Sequence, residues 1–195
     1  MLKLGFLASN SGTSMRAIVG AIGSGALKAE ARLVVSNKKD AAALAFAAQS
    51  GVPSRFIPTV KDSEAADAKL LNALTEAGVD LLVLSGYLRK LGPATLGAYA
   101  GRILNIHPAL LPEFGGEGMY GRRVHEAVIA AGAEKSGCTI HLVDGEYDHG
   151  AIIARREIPI RQGDTAETLE ARITAAEPAF FVETLTAIAE GRLKL

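Results

Sequence analysis

Residues 79–86 read V-D-L-L-V-L-S-G, and an earlier run, 31–36, reads A-R-L-V-V-S. Nearly unbroken apolar runs of this length suit strands buried on both faces rather than amphipathic helices. Such strands need helices above and below them, and alanine-rich helical stretches do separate the apolar runs. LKLGFLA (2–8) precedes a helix at 13–24, ARLVVS (31–36) one at 40–50, and SRFIP (54–58) one at 63–77. Beyond 79–86 come RILNI (102–106), a helix at 121–132, CTIHLV (138–143), AIIARREIPI (151–160) and a last helix near 165–190. Short strands interleaved with helices predict an α/β fold of three layers, a mostly parallel central sheet with helices on both faces. In 151–160 the apolar pattern is interrupted by Arg155, Arg156 and Glu157, which predicts a half-exposed edge strand.

At 195 residues the chain can bury one large core, and no linker, repeat or low-complexity segment divides it. One domain over 1–195 is expected. The 21 basic residues balance 21 acidic ones, so no net field draws the chain to nucleic acid or an anionic membrane, and any phosphate must be held locally. Cys138 is the one cysteine and the four histidines are scattered, which excludes an internal disulfide and offers no zinc-type ligand set. A cytoplasmic location fits best. The N-terminal apolar stretch is too short for a signal sequence, and no segment approaches about 18 uninterrupted apolar residues, so neither export nor a membrane span is expected.

In open α/β sheets ligands bind beyond the carboxyl ends of the strands. The first such place is S-N-S-G-T-S (9–14), which follows strand one and opens a helix. Backbone amides there, with a glycine and hydroxyls, form an anion site, phosphate being the natural occupant. The bland alternative is that Ser11 or Thr13 merely caps the helix. Asn10 and Thr13 stand where a dinucleotide fingerprint needs glycines, and no Walker lysine follows.

The second place is I-L-N-I-H-P (103–108). Asn105 and His107 share a face because strand side chains alternate, and Pro108 ends the strand at His107. A carboxamide beside an imidazole offers spaced donors to an oxyanion developing on an acyl or formyl carbon; equally, the pair could simply buttress the next loop. The loop H-L-V-D-G-E-Y-D-H-G (141–150) holds four ionisable candidates, Asp144, Glu146, Asp148 and His149. One carboxylate beside His107 would favour imidazolium and accept a proton from an attacking amine. Spacing does not select which.

N-I-H-P-A-L-L-P (105–112), followed by an aspartate loop flanked by H-L-V and G-A-I-I, resembles the formyltetrahydrofolate-dependent formyltransferases. S-G-T-S-M-R-A-I (11–18), L-V-V-S-N-K (33–38) and V-L-S-G-Y-L-R (83–89) are similar to the branch that formylates glycinamide ribonucleotide in purine synthesis. The likeness runs over essentially the whole chain. It implies a Rossmann-like fold with a phosphate-binding N-terminal half and a folate-binding, catalytic C-terminal half. It also implies 10-formyltetrahydrofolate as co-substrate, no metal, small-molecule partners only, and a monomer or homodimer. Catalytic roles fall on Asn105, a protonated His107, and Asp148, which would keep His107 charged. Gly12, Thr13 and Ser14 would hold the ribose phosphate, and Glu177 in T-A-A-E-P would contact the ribonucleotide. Leu88, Arg89, Leu91, His141 and Val143 would line the folate pocket.

The chain departs from the family pattern at three places. His149 stands where glycine is frequent, and Ser63 where many relatives carry an arginine that reaches the phosphate. The segment E-F-G-G-E-G-M-Y-G-R-R (113–123) is unusually rich in glycine. It reads as a lid whose Arg122 and Arg123, or else Lys61, could supply the missing cation; the alternative is a helix start with solvated arginines. A sugar-nucleotide amine formyltransferase would use the same three catalytic residues. A non-catalytic, nucleotide-binding Rossmann-like module or a dinucleotide oxidoreductase is opposed by the missing glycine fingerprint. A tRNA-directed formyltransferase would need an added domain and a basic surface.

Overall fold

The computed structural model describes residues 1–59 and 63–195. Among the described residues seven strands form one sheet: β1 (Leu2–Leu7), β2 (Ala29–Ser36), β3 (Ser54–Phe56), β4 (Leu81–Leu84), β5 (Ile103–His107), β6 (Lys135–Leu142) and β7 (Ile152–Pro159). Their order is β3-β2-β1-β4-β5-β6-β7. Pairings among the first five are parallel, and β6 and β7 add antiparallel to the end. The mostly parallel sheet expected from 79–86 is thus present, and that run supplies a central strand whose four residues are all buried.

Six helices among the described residues cover the sheet: α1 (Thr13–Gly23), α2 (Ala42–Gln49), α3 (Ser63–Glu76), α4 (Pro93–Ala98), α5 (Arg122–Ala130) and α6 (Ala166–Ala189). Met15 and Ile18 of α1, Ala43 and Ala47 of α2, Val124 and Val128 of α5 and Leu169, Ile173 and Phe181 of α6 join one core with Leu4, Phe6 and Leu104. Leu70 and Leu74 of α3 form the second core with Leu33, Leu82 and Tyr99 on the opposite face. Helix α4 has no counterpart in the sequence reading. Its first turn is held by Asp67 of α3, whose carboxylate accepts from Ala94 N at 2.8 Å and Thr95 N at 3.1 Å. A helix start satisfied by another helix leaves no local signal.

The strand order reverses at β1, whose neighbours are β2 and β4. A crevice therefore opens beyond the carboxyl ends of β1, β4 and β5. The run 151–160 forms β7, the outermost strand, with Arg155 and Glu157 among its partly and fully exposed positions. Within α6, Pro178 lacks the N–H that would otherwise bond the Thr174 carbonyl, so the helix loses a backbone bond beside Glu177.

Candidate active site

Antiparallel pairing sets Asn105 of β5 directly opposite His141 of β6. The two side chains stand on one face, and Asn105 Nδ2 lies 3.2 Å from His141 Nε2. His107, two residues on, points the same way. Asp148, held at φ 56° in the loop after β6, places its carboxylate between the histidines. Its Oδ2 lies 3.3 Å from His107 Nδ1 and its Oδ1 lies 3.4 Å from His141 Nε2. Of the four ionisable candidates in that loop, Asp148 is the one brought to His107. Asp144 instead accepts from Glu146 N at 2.8 Å and meets the exposed His149 at 3.2 Å.

The glycine-rich segment reaches this cluster through its backbone. The Phe114 carbonyl accepts from His107 Nε2 at 2.7 Å, and Gly116 N donates to Asp148 Oδ2 at 3.0 Å. Gly115 between them has no room for a side chain, since a Cβ would stand 2.3 Å from Leu111 Cδ2 and 3.0 Å from Asp148 Cβ. These two backbone partners were invisible in the sequence, where only side chains advertise chemistry.

Burial and neighbouring charge act in opposite directions on the two central groups. Burial is the largest influence on His107 and holds its imidazole below the ordinary value, outweighing Asp148 and the Phe114 carbonyl. Burial alone would raise the Asp148 carboxyl, but the hydrogen bond from His141, the charge of His107 and the Gly116 amide together hold it below the usual range.

A cleft of about 270 Å³ adjoins the cluster, lined by Asn10 to Ser14, Ser85, Gly86, Ile106, Pro108, His125, Glu170 and Glu177 among others. Gly12 adopts φ 63° as the N-cap of α1 and brings no side-chain cap of its own, while Ser85 Oγ after β4 accepts from Met15 N at 3.0 Å. Ser11 and Thr13 bond to each other instead, at 3.2 Å. The capping alternative is thereby removed, and α1 presents its N-terminus to the cleft. Glu177 sits on the far wall, and burial pushes its carboxyl up to about 7. His125 of α5 is buried on the same wall, and its Nδ1 has no hydrogen-bond partner. Nothing local in V-H-E marks this residue, because packing against α6 creates its environment.

The candidate phosphate cations fare differently. Arg122 opens α5 and pairs with Glu170 at 2.8 Å and Glu167 at 3.9 Å. The Arg123 guanidinium lies 5.4 Å from the Tyr120 ring centre. Both are committed to neighbours, as the solvated-arginine alternative anticipates. Ser63 starts α3 and lines a separate cavity with Asp67 and Arg89, and Lys61 lies outside the described residues.

A second cleft, of about 100 Å³, is lined by Asn105 and Asp148 themselves. Arg89, Leu91, His141 and Val143 line it, joined by Tyr87, Lys90 and Tyr147, which the sequence reading did not single out. Lys90 Nζ stands 5.6 Å from the Tyr147 ring centre, bridging the two loops that form its mouth. Leu88 does not line this cleft; its side chain is exposed while its backbone N–H donates to Ser9 Oγ at 2.8 Å. Among the described residues no group of three or more His, Cys, Asp or Glu is placed to hold a metal, and no helix is long and apolar enough to cross a membrane.

Residues 2–185 match the formyl transferase family. The chain is 39% identical over 193 residues to the chloroplastic phosphoribosylglycinamide formyltransferase of Vigna unguiculata, covering 98% of this chain but 62% of that protein's length. It is 36% identical over 191 residues to phosphoribosylglycinamide formyltransferase of Escherichia coli K12, covering 97% of this chain and 88% of that one. The glycinamide ribonucleotide transformylase 1 structure from Symbiobacterium toebii superposes with a TM-score of 0.90 at 36% identity, over 100% of this chain and 91% of the other. With the match spanning nearly every element described above, the chain belongs to the formyl transferase family.

Proposed function

We propose that this chain transfers the formyl group of 10-formyltetrahydrofolate to the primary amine of glycinamide ribonucleotide, a step of purine synthesis. The observation that carries the reading is the convergence of Asn105, His107 and Asp148, with Asn105 and Asp148 lining one cleft and the α1 N-terminus lining another. Relatives bearing the phosphoribosylglycinamide formyltransferase name support the choice of acceptor. The α1 start, with Gly12, Thr13 and Ser14 lining the cleft, would take the phosphate. Glu177 would meet the ribonucleotide, and the cleft of Arg89, Leu91, His141 and Val143 would take the folate.

The amine nitrogen attacks the formyl carbon, and the carbonyl electron pair moves onto oxygen. Asn105 Nδ2–H and the His107 ring N–H are the donors for that charge; removing one such donor typically costs about 10²–10³ in rate. His107 Nε2–H is bonded to Phe114 in the free protein, so it must exchange that carbonyl for the formyl oxygen. Asp148 accepts the amine proton, directly or through water, and the proton passes to N10 as the carbonyl reforms and the C–N10 bond breaks. Incubating the protein with formyl folate and, separately, glycinamide ribonucleotide or a sugar-nucleotide amine tests the assignment. Formylation of glycinamide ribonucleotide supports it, and formylation of the sugar nucleotide alone overturns it.

A further inference from the structure

The segment L-V-V-S-N-K (33–38) closes β2, and the formyl-transfer reading gives it no role. Parallel pairing sets Leu7 of β1 beside Val35, so the residues that follow β2 run alongside those that lead into α1. Three hydrogen bonds fix that neighbourhood. Lys38 N donates to Ser36 Oγ at 3.1 Å, which closes the turn after the strand. Ser9 Oγ donates to Asn37 Oδ1 at 2.6 Å, and Lys38 Nζ donates to Asn10 Oδ1 at 2.7 Å. Asn10 in turn lines the cleft at the α1 N-terminus, with Gly12, Thr13 and Ser14. The Lys38 ammonium is therefore held one side chain away from the proposed phosphate cradle.

The cleft bears a mark of a ligand site besides the helix end: His125, only 1% exposed, lines it with an Nδ1 that has no hydrogen-bond partner. A phosphate monoester carries a charge of about −1.5 to −2 at pH 7, against about +0.5 from a helix N-terminus. A cation is needed, yet among the described residues no lysine or arginine lines the cleft, while Glu170 and Glu177 do. The guanidinium groups nearby are engaged. Arg122 pairs with Glu167 and Glu170, and Arg16 donates Nε to the Ser11 carbonyl at 2.8 Å and Nη2 to the Ala42 carbonyl at 3.2 Å. Lys38 differs. It is exposed, its Nζ meets a neutral amide oxygen, and it forms no ion pair among the described residues. An ammonium has three N–H donors, so one can stay on Asn10 while two turn to phosphate oxygens.

We propose that Lys38 is the side-chain cation of the phosphate site, a substrate-binding residue that Asn10 orients toward the α1 N-terminus. The inference rests on the formyl-transfer reading above, which supplies the phosphate-bearing acceptor. It also gives the turn after β2 a purpose: Ser36 and Asn37 fix the backbone from which the Lys38 stem reaches across to β1.

Two measurements test it. The first needs no catalysis: NMR titration of the whole protein with ribose 5-phosphate, following the amides of Gly12, Thr13 and Ser14. Lys38→Met should weaken the affinity about 10- to 100-fold, the range for a lost charge-assisted bond, and Lys38→Arg should recover most of that loss. The affinity of the unaltered protein should also fall more steeply with added sodium chloride than that of Lys38→Met. Equal affinities, or amides that do not respond to the phosphate ester, overturn the proposal. A weakened Lys38→Met that keeps the full salt dependence makes Lys38 only a brace for Asn10, and overturns it as well. The second is kinetic. Lys38→Met should raise the KM for glycinamide ribonucleotide about 10- to 100-fold with kcat within about threefold, since a phosphate contact is made equally in ground and transition states. A lowered kcat with unchanged KM contradicts the assignment. Should Lys38→Met not fold, Lys38→Gln takes its place in both measurements. Absence of formyl transfer by the unaltered protein defeats the functional reading, while the titration still judges this one.

Discussion

The backbone carbonyl of Phe114 lies 2.7 Å from His107 Nε2, while His107 Nδ1 faces Asp148 at 3.3 Å, so both nitrogens of the proposed catalytic imidazole are engaged in the free protein. The segment that supplies the carbonyl also supplies the Gly116 amide to Asp148. The expected lid is therefore tied to the reacting centre by backbone atoms, and a change in its path moves both catalytic groups together.

Gly115→Ala tests that coupling. Its Cβ would meet Leu111 and Asp148 well inside contact distance, forcing the 114–116 backbone away from the cluster. Turnover should fall about 10²-fold, the typical cost of misplacing reacting groups by about 1 Å. Binding of the ribonucleotide, measured by calorimetry, should stay nearly unchanged, because the α1 cradle is separate.

Asp148→Asn should lower kcat by about 10²–10⁴, the usual range for a lost acid–base group. Ribonucleotide affinity should be retained. Steady-state kinetics with both substrates varied checks this, and an unchanged kcat removes Asp148 from the reaction.

Glu177 gives a prediction for stability. Its carboxyl is raised to about 7, so in the folded chain it resists ionising at pH values where the unfolded chain ionises freely. A raised acid therefore costs stability progressively as pH climbs from about 4.5 to above 7. Glu177→Gln should stabilise the unliganded protein at pH 8 by about 1–3 kcal/mol, reduced from the full linkage value because the side chain is only partly buried, and have little effect at pH 4. Thermal melts at the two pH values read the difference. A substitution effect equal at both contradicts the perturbed carboxyl.

His107 acts in the opposite direction. Its depressed value means that the folded chain binds a proton less readily than the unfolded chain, so stability should drop as pH falls below about 6.5. His125, lowered chiefly by burial as well, adds to the same acid-side loss. Replacing His125 by Gln should flatten the fall of melting temperature between pH 6.5 and 5, about the interval over which a lowered imidazole titrates.

Strand and helix positions were largely legible because each buried strand carries its own apolar run, as 81–84 does. Helix α4 was not, since Asp67 on another helix satisfies its first turn. Asn105 and His107 announced themselves by spacing within one strand. Choosing Asp148 among four ionisable neighbours took the family resemblance at first, and three-dimensional contact with His107 afterwards. The role of the Phe114 carbonyl stayed hidden, because it arises from the backbone of a loop and not from a side chain. Leu88 entered the expected pocket wall only through the family resemblance, and its side chain is exposed in the free protein.

Single-turnover formyl transfer by His107→Asn, Asp148→Asn and the double variant measures whether imidazole and carboxylate act as one unit. The account predicts that each single change is severe and that the double variant is slower than the worse single one by no more than about threefold. Losses that multiply, or a single variant close to the unaltered rate, would contradict it.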